Sequence, residues 1–278
     1  MNSRFITIIA LIAATACNCL GESGAPMPVS VKQIPAAALV CPTANEGARQ
    51  SYNRAKELQQ LGRLSEAEAS YLKAIELDPG YCDAMDNLGQ MLRSQGKIDQ
   101  AIEWYRRSIS VKPVNNVAHQ NLAAAYMFAG AADRAIPEYR WLIEHEPDNP
   151  EGYYGLGNAH KSLGNPGDAI APLERAESLY SRSGSPLLAD AQYELGVAYY
   201  MMKEHGRGAA YLQKVYAERG SDPTLNYLLG ACYLGIPGEE GRARGYLLKA
   251  KSLGADVLLY AQSLGDSIPE PLRRELGD

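Results

Sequence analysis

The sequence predicts an all-α fold, a right-handed superhelical solenoid of about six helix-turn-helix units followed by a C-terminal closing helix. The main observation is an internal period of 34 residues that four residue types share. The recurring residues are Tyr71, Tyr105 and Tyr139; Ala67, Ala101, Ala135 and Ala169; Gly62, Gly96, Gly130 and Gly164; and Pro79, Pro113 and Pro147. The second observation is that 46% of the residues are hydrophobic, which is enough for stacked units to bury a core.

One period carries the signals of two helices joined by a tight turn. Leu88 and Leu92 lie four residues apart, on the same face of the first helix. Gly89 beside them is small, so the second helix can approach closely, and a larger side chain there would cost roughly 1–3 kcal/mol by overpacking. Gly96 falls in the turn, where glycine adopts a positive φ at little cost. Pro113 ends the second helix, and the unit needs a neighbour to cover its open apolar face.

This pattern resembles the tetratricopeptide repeat, a helix-turn-helix unit. The residues that carry the resemblance are Leu88-Gly89, Leu92, Gly96, Ala101, Tyr105 and Pro113. The predicted repeats span 48–81, 82–115, 116–149, 150–188, 189–222 and 223–255, and a capping helix and tail occupy 256–278. The resemblance implies that the first helices of the stacked repeats line a concave groove, and that the second, fifth, sixth, ninth and twelfth residues of each repeat face it.

Residues 1–16 have the features of a secretory signal peptide. Arg4 supplies a positive charge, an apolar stretch of 12 residues runs from Phe5 to Ala16, and small residues precede Cys17. A membrane-spanning helix needs about 20 apolar residues, so this stretch is too short to be one. We therefore expect an exported protein, in which residues 17–47, rich in proline, glycine and alanine, form a flexible tether before the repeats.

Cys17 is a candidate for lipidation. The small residues before it resemble a bacterial lipobox, in which the cysteine is acylated, but Ala14 stands where that motif usually has leucine. Two outcomes stay open: a lipoprotein attached through Cys17, and a protein secreted without an anchor. Because Asn18 follows the cysteine, the resemblance implies the outer membrane for the lipoprotein and the periplasm otherwise, in a bacterial cell.

The resemblance also implies two sets of peptide-binding residues in the groove. The sixth place of the first three repeats carries asparagine, whose primary amide both donates and accepts hydrogen bonds and so can hold a peptide backbone. The fifth place carries tyrosine in four repeats, which offers a large apolar face and loses little entropy on binding. The residues are Asn53, Asn87 and Asn121, and Tyr52, Tyr154, Tyr193 and Tyr227. The alternative for both sets is a structural role between neighbouring repeats.

Composition and motifs exclude several classes of function. With 27 Lys and Arg against 32 Asp and Glu, the net charge is −5, which does not favour binding to nucleic acid or to an anionic membrane surface. The only membrane attachment that we expect is the N-terminal lipid. The four histidines fall in different repeats, and no nucleophile, phosphate-loop or zinc motif occurs. We expect no enzymatic activity, no cofactor and no metal. An oxidising compartment would allow a Cys41–Cys82 disulfide.

These observations favour a non-enzymatic scaffold of the cell envelope that binds a protein or peptide partner in the concave groove. The alternative is a structural assembly factor for an outer-membrane secretion, pilus or polysaccharide-export complex, which would act through the convex face or as a homodimer. The sequence does not name the partner, because one repeat fold serves many functions.

Overall fold

The period of the sequence corresponds to pairs of consecutive helices. The structure is a computed structural model that describes residue 41 and residues 43–277, so the predicted signal peptide and Cys17 lie outside the described residues. Within these residues there are fifteen helices and no strand, which confirms the predicted all-α class. The helices are α1 (Glu46–Gln60), α2 (Leu64–Leu77), α3 (Cys82–Ser94), α4 (Ile98–Val111), α5 (Asn116–Phe128), α6 (Ala132–His145), α7 (Pro150–Ser162), α8 (Pro166–Ser183), α9 (Leu188–Met201), α10 (His205–Lys214), α11 (Tyr216–Arg219), α12 (Pro223–Leu234), α13 (Glu240–Ser252), α14 (Val257–Leu264) and α15 (Glu270–Gly277).

Local sequence signals set the ends of these helices. The Asn45 side chain accepts a hydrogen bond from the backbone N–H of Ala48 at the start of α1, and such a cap satisfies a backbone donor that the helix itself leaves open. Gly96, in the turn between α3 and α4, has the positive φ expected from the sequence, 76°. The equivalent turn glycines of the neighbouring repeats, Gly62, Gly130 and Gly164, share this left-handed conformation.

The two helices of a repeat pack closely because the eighth residue of each repeat is glycine or alanine. A Cβ atom added to Gly89 would lie 2.6 Å from Cε1 of Tyr105, a ring of the second helix α4. Likewise, a Cβ atom on Gly157 would lie 2.5 Å from Cγ of Leu173. Both distances are shorter than any ordinary carbon–carbon contact, so the second helix occupies the space that a side chain would need.

The described residues divide into two compact units, one ending at Gly155 and the other beginning at Leu156. In the first unit, α1 to α6 form three helix pairs, and each pair contacts the next through α2 and α3 or through α4 and α5. In the second unit, the core formed by α9 to α13 continues into residues 256–277, which we call the closing segment. That segment folds as two short helices, and Val257, Leu272 and Leu276 bury their side chains in the same core.

A disulfide joins Cys41, just before α1, to Cys82 at the start of α3, with the two Cα atoms 5.6 Å apart. The backbone N–H of Cys41 also donates to the Asp83 carboxylate at 3.3 Å. The pairing that the sequence left as an option is therefore present, and it ties the residue before the first repeat to the beginning of the second. None of the helices in the described part of the chain is both long and apolar enough to cross a membrane.

Candidate binding surface

The first helices of neighbouring repeats lie side by side in the first compact unit. Helix α3 contacts α5 directly, and Tyr52 of α1 packs against Tyr81, the residue before α3, with ring centroids 5.1 Å apart. On one side of these three helices the side chains are half-buried or exposed. We call this side the first-helix face, and it consists of Tyr52, Asn53, Lys56, Asn87, Gln90, Arg93, Gln120, Ala124, Met127 and Phe128.

The three predicted asparagines differ in exposure. Asn53 is exposed, Asn87 is half-buried and Asn121 is buried. The Asn87 amide NH2 donates to the Tyr52 hydroxyl at 2.9 Å and to the Asp83 backbone carbonyl at 2.8 Å, so this half of the amide has the structural role. Its carbonyl oxygen has no hydrogen-bond partner among the described residues, and it can accept a hydrogen bond from a peptide N–H.

Tyr52 forms an aromatic platform beside Asn87. Its ring packs against Tyr71 as well as Tyr81, and the Lys56 ammonium lies 5.5 Å from its ring centroid. Burial, followed by the nearby negative charge of Asp83, raises the pKa of the Tyr52 phenol to about 12. The hydroxyl is therefore neutral at physiological pH and accepts the hydrogen bond from Asn87.

Asp86, at the fifth place of the second repeat, is a buried carboxylate beneath this face. It is 6% exposed, and one oxygen accepts a hydrogen bond at 2.7 Å from the Asn115 amide, while the other has no partner among the described residues. Burial raises the pKa of the Asp86 carboxyl to about 6, although the hydrogen bonds from Asn115 and Ser108 act in the opposite direction. The carboxylate form is therefore less stable here than in an unfolded chain.

We expect Asp86→Asn to stabilise the first unit at pH 7.5 by about 2 kcal/mol, because it removes a carboxyl whose folded-state pKa is raised. The stability that the protonated Asp86 carboxyl contributes is present at low pH and is lost as pH rises from about 4 through about 6. The advantage of the variant should therefore shrink at pH 4.5. Urea unfolding followed by tryptophan fluorescence measures this, since Trp104 and Trp141 both lie in the first unit. An equal difference at both pH values would contradict the assignment.

The series of asparagines ends in α7 for a steric reason. Gly155 stands at the sixth place of the fourth repeat, and a Cβ atom there would lie 2.1 Å from Cε1 of Tyr139 in α6. In the third repeat Ala123 replaces the glycine on which the equivalent Tyr105 packs, and the Tyr139 ring lies against the next first helix instead. Tyr154, the predicted groove tyrosine next to Gly155, is half-buried.

Tyr193 and Tyr227 are buried within the second unit, with 7% and 1% of their surface exposed. The Tyr227 hydroxyl donates to the Asp266 carboxylate, which also accepts a hydrogen bond from the Tyr200 hydroxyl. The Tyr260 ring of α14 meets the Tyr227 ring edge-on, with centroids 5.3 Å apart. The closing segment of the chain itself thus covers Tyr227, and contact between Tyr227 and a partner would require this segment to move away.

An ion pair also links two first helices of the second unit, α7 and α9. Glu194, at the sixth place of the fifth repeat, forms an ion pair with Lys161 of α7. Lys161 is buried and Glu194 is half-buried, so each uses the other as its partner inside the unit. Burial also lowers the pKa of the Lys161 ammonium to about 7. Within the described residues, no group of histidine, cysteine, aspartate and glutamate side chains could hold a metal ion.

Three residues that shape these surfaces were not singled out from the sequence. Arg93 occupies the twelfth place of the second repeat, which the family resemblance assigns to the groove, and Phe128 follows the same place in the third repeat. The repeat register therefore predicts a groove position for Arg93, whereas Phe128 lies one residue beyond the groove place of its repeat. Asp266 lies in the closing segment, where the 34-residue period no longer applies, and no pattern pointed to it.

Comparisons with known proteins agree with this architecture. Similar solved structures include a MamA protein, 26% identical over 64% of this chain and 94% of that chain, with a TM-score of 0.55. MamA from Desulfovibrio magneticus RS-1 is 17% identical over 65% of this chain and 99% of that chain, with a TM-score of 0.58. YrrB, described as a TPR protein with an unusual peptide-binding site, is 18% identical over 69% of this chain and 97% of that chain, with a TM-score of 0.57.

None of the curated proteins matches the chain. The family model of the tetratricopeptide repeat, however, matches residues 52–114, 121–186 and 162–223. These ranges cover more than half of the sequence and include most of the helix pairs described above, from α1 and α2 to α9 and α10. The chain therefore belongs to the tetratricopeptide repeat family.

Proposed function

We propose that this protein is a non-enzymatic scaffold of the bacterial cell envelope that holds a protein or peptide partner against the first-helix face of its first three repeats. The observation that carries the proposal is the Asn87 amide. Hydrogen bonds to Tyr52 and to the Asp83 carbonyl fix its NH2 group, while its carbonyl oxygen is left to accept. A fixed acceptor of this kind pairs with a peptide N–H whatever the side chain of the peptide is.

The rest of the first-helix face suits a peptide as well. Gln90 and Gln120 are half-buried amides in α3 and α5, and Asn53 is an exposed amide in α1. Phe128 is 48% exposed and supplies an apolar contact beside these polar groups. Polar groups that give orientation, together with an aromatic group that gives contact area, are typical of peptide-recognition surfaces.

The Cys41–Cys82 disulfide supports a location outside the cytoplasm, because disulfides persist in oxidising compartments and are rare where thiols are kept reduced. It agrees with the export signal expected at residues 1–16 and with the envelope location proposed here. Whether the anchor is a lipid depends on Cys17. A mature N-terminus at Cys17 that carries added acyl mass would establish the lipoprotein form, and an unmodified N-terminus would establish the secreted form.

Site-specific photocrosslinking in the native cell tests the binding face. A photoreactive benzoyl-phenylalanine replaces Gln90 on the first-helix face in one strain and Glu103, an exposed residue of α4 in the same repeat, in a control strain. We expect ultraviolet light to join a discrete partner to the Gln90 variant, and Asn87→Ala in the same variant to reduce the adduct. The Glu103 variant should give no such adduct.

Two results would contradict the proposal. The same adducts from both positions, unaffected by Asn87→Ala, would mean that Gln90 reports random collisions. A specific adduct from Glu103 alone would move the interaction to the second helices, and it would favour the alternative of an assembly factor that docks through that surface.

A further inference from the structure

In the first unit, the acidic and the basic side chains at or beneath the first-helix face differ in the partners that they have. The Asp83 carboxylate accepts a hydrogen bond from the Cys41 N–H, and the Asp86 carboxylate accepts one from the Asn115 amide. Arg93 and Lys56 instead have no carboxylate within ion-pair distance in the described residues. Arg93 lies beside the Tyr105 hydroxyl and the Phe128 ring. Lys56 lies over the Tyr52 ring, and its charge opposes the rise that burial causes in the pKa of the Asp83 carboxyl. The Arg93 guanidinium is thus a cation of this face that no carboxylate of the described residues neutralises, and it can pair with an acidic group of a partner.

Arg93 has the geometry of an anion receptor. It is half-buried at the C-terminal end of α3, and its guanidinium carbon lies 5.3 Å from the centroid of the Phe128 ring. Its Nε is buried and is not an accessible donor, and Arg93 lies beside the buried Tyr105 hydroxyl, where its charge opposes the rise in pKa that burial causes. The donors that a ligand could reach are therefore the terminal nitrogens of the guanidinium group. A guanidinium group presents parallel N–H donors that match the two oxygens of a carboxylate, and such a charge-assisted pair is about twice as strong as a neutral hydrogen bond.

Apolar side chains at the end of α5 lie beside the Arg93 guanidinium group. Phe128 exposes about half of its surface, and Met127 beside it is half-buried at the end of α5. A methionine and an exposed aromatic ring adapt to apolar side chains of different shapes. We refer to Arg93, Met127 and Phe128 together as the arginine corner.

We propose that the arginine corner binds an acidic side chain of the partner peptide, with the carboxylate on Arg93 and the adjacent apolar side chain of the peptide on Phe128 and Met127. The inference rests on the proposed function and adds the chemical class of the ligand. A carboxylate fits better than a phosphate group, because the corner offers one guanidinium group and a phosphate dianion would need more positive charge. The protein as a whole has a net charge of −5, so attraction of an acidic peptide depends on this local cation.

Fluorescence polarisation with synthetic peptide pools tests the inference on the purified full-length mature protein. Each pool consists of fluorescein-labelled decapeptides, amidated at the C-terminus, with a central leucine followed by one fixed residue and with the other positions randomised over small uncharged residues. The fixed residue is Glu, Gln, Lys or phosphoserine. We expect the Glu pool to bind about tenfold more tightly than the Gln pool, which is the gain of one charge-assisted pair, and the Lys pool to bind most weakly.

Substitutions in the arginine corner distinguish the contribution of the charge on Arg93 from that of the apolar contacts. Arg93→Gln should remove the preference for Glu over Gln, while Arg93→Lys, which keeps the charge but loses the fork of donors, should retain only part of it. Phe128→Ala should weaken the Glu and Gln pools alike, because both contain the leucine. Arg106→Gln removes an exposed arginine from α4 of the same repeat and should leave the preference unchanged. Thermal unfolding of each variant verifies that it is folded.

The outcomes distinguish this inference from the proposed function. Equal binding of the Glu and Gln pools to the wild type, or an unchanged preference in Arg93→Gln, would overturn the arginine corner. If Asn87→Ala still weakened all pools in that case, peptide binding on the first-helix face would stand. Tighter binding of the phosphoserine pool than of the Glu pool would overturn the assignment to a carboxylate. Failure of every pool to bind would contradict both proposals.

Discussion

Removal of the Cys41–Cys82 disulfide by Cys41→Ser should lower the free energy of unfolding of the first unit by about 4 kcal/mol, because the bond closes a long loop in the unfolded chain. The two cysteines are 41 residues apart, and closing a loop of that length removes much of the conformational freedom of the unfolded state. In the folded state the same bond holds the residue before α1 against the start of α3. Its loss removes the loop constraint, and residue 41, whose backbone N–H donates to Asp83, is no longer held in place.

Urea denaturation followed by tryptophan fluorescence measures this effect, because both tryptophans lie in the first unit. Adding reductant to the wild type should shift the midpoint as far as Cys41→Ser does. Reductant added to Cys41→Ser should cause no further shift, since the third described cysteine, Cys232, is a buried free thiol of the second unit. An unchanged midpoint for the reduced wild type would contradict the proposed stabilisation.

Asp266→Ala should destabilise the second unit by about 3 kcal/mol, because it removes the charged acceptor of two buried hydrogen bonds. The donors are the hydroxyls of Tyr200 and Tyr227, which are nearly inaccessible to water. Burial raises the pKa of both phenols above the ordinary value, so both keep the proton that they donate. Without Asp266 these two hydroxyls are left buried with no acceptor, and the closing segment loses this polar attachment to the repeats and keeps those of Glu275 to Arg244 and Lys251.

The unfolding transition in far-ultraviolet circular dichroism measures the loss. Asp266→Asn is the matched variant, since its amide oxygen still accepts hydrogen bonds, and it should cost about 1 kcal/mol. Glu218→Ala, which removes an exposed carboxylate from α11 in the same unit, should leave the transition unchanged. Equal stability of Asp266→Ala and Asp266→Asn would mean that the carboxylate does not hold the segment.

The 34-residue period predicted helix packing and turn conformation in the repeats, where each side chain has an equivalent one repeat away. The turn glycine Gly96 has the expected positive φ, and Gly89 meets the ring of Tyr105 as its small size implied. These features are readable from a sequence because they depend on residues of a single repeat or of two neighbours. The register also placed Asn87 and Tyr52 on adjacent first helices, where they form a hydrogen bond.

The 34-residue period could not predict contacts made by residues that have no equivalent in the other repeats. Asp266 reaches Tyr227 across 39 residues, from a segment with no equivalent in the other repeats. The burial of Tyr227 therefore follows from the closing segment and not from its place in the repeat. The sequence also could not tell that Asn115 donates to only one oxygen of the Asp86 carboxylate, or that Arg93 finds no acidic partner among the described residues, since both outcomes depend on side-chain geometry.

The central claim is that the accessible first-helix surface belongs to the first three repeats, while that of repeat six is covered by the closing segment. Hydroxyl-radical footprinting with mass spectrometry measures it directly, because it reports the exposure of each side chain in solution. After correction for intrinsic reactivity, Phe128 should oxidise several times faster than Tyr227, and the Glu peptide pool should protect Phe128 and leave Tyr227 unchanged. In Asp266→Ala, oxidation of Tyr227 should increase. Rapid oxidation of Tyr227 in the wild type, with peptide protection at Tyr227 and none at Phe128, would contradict the account.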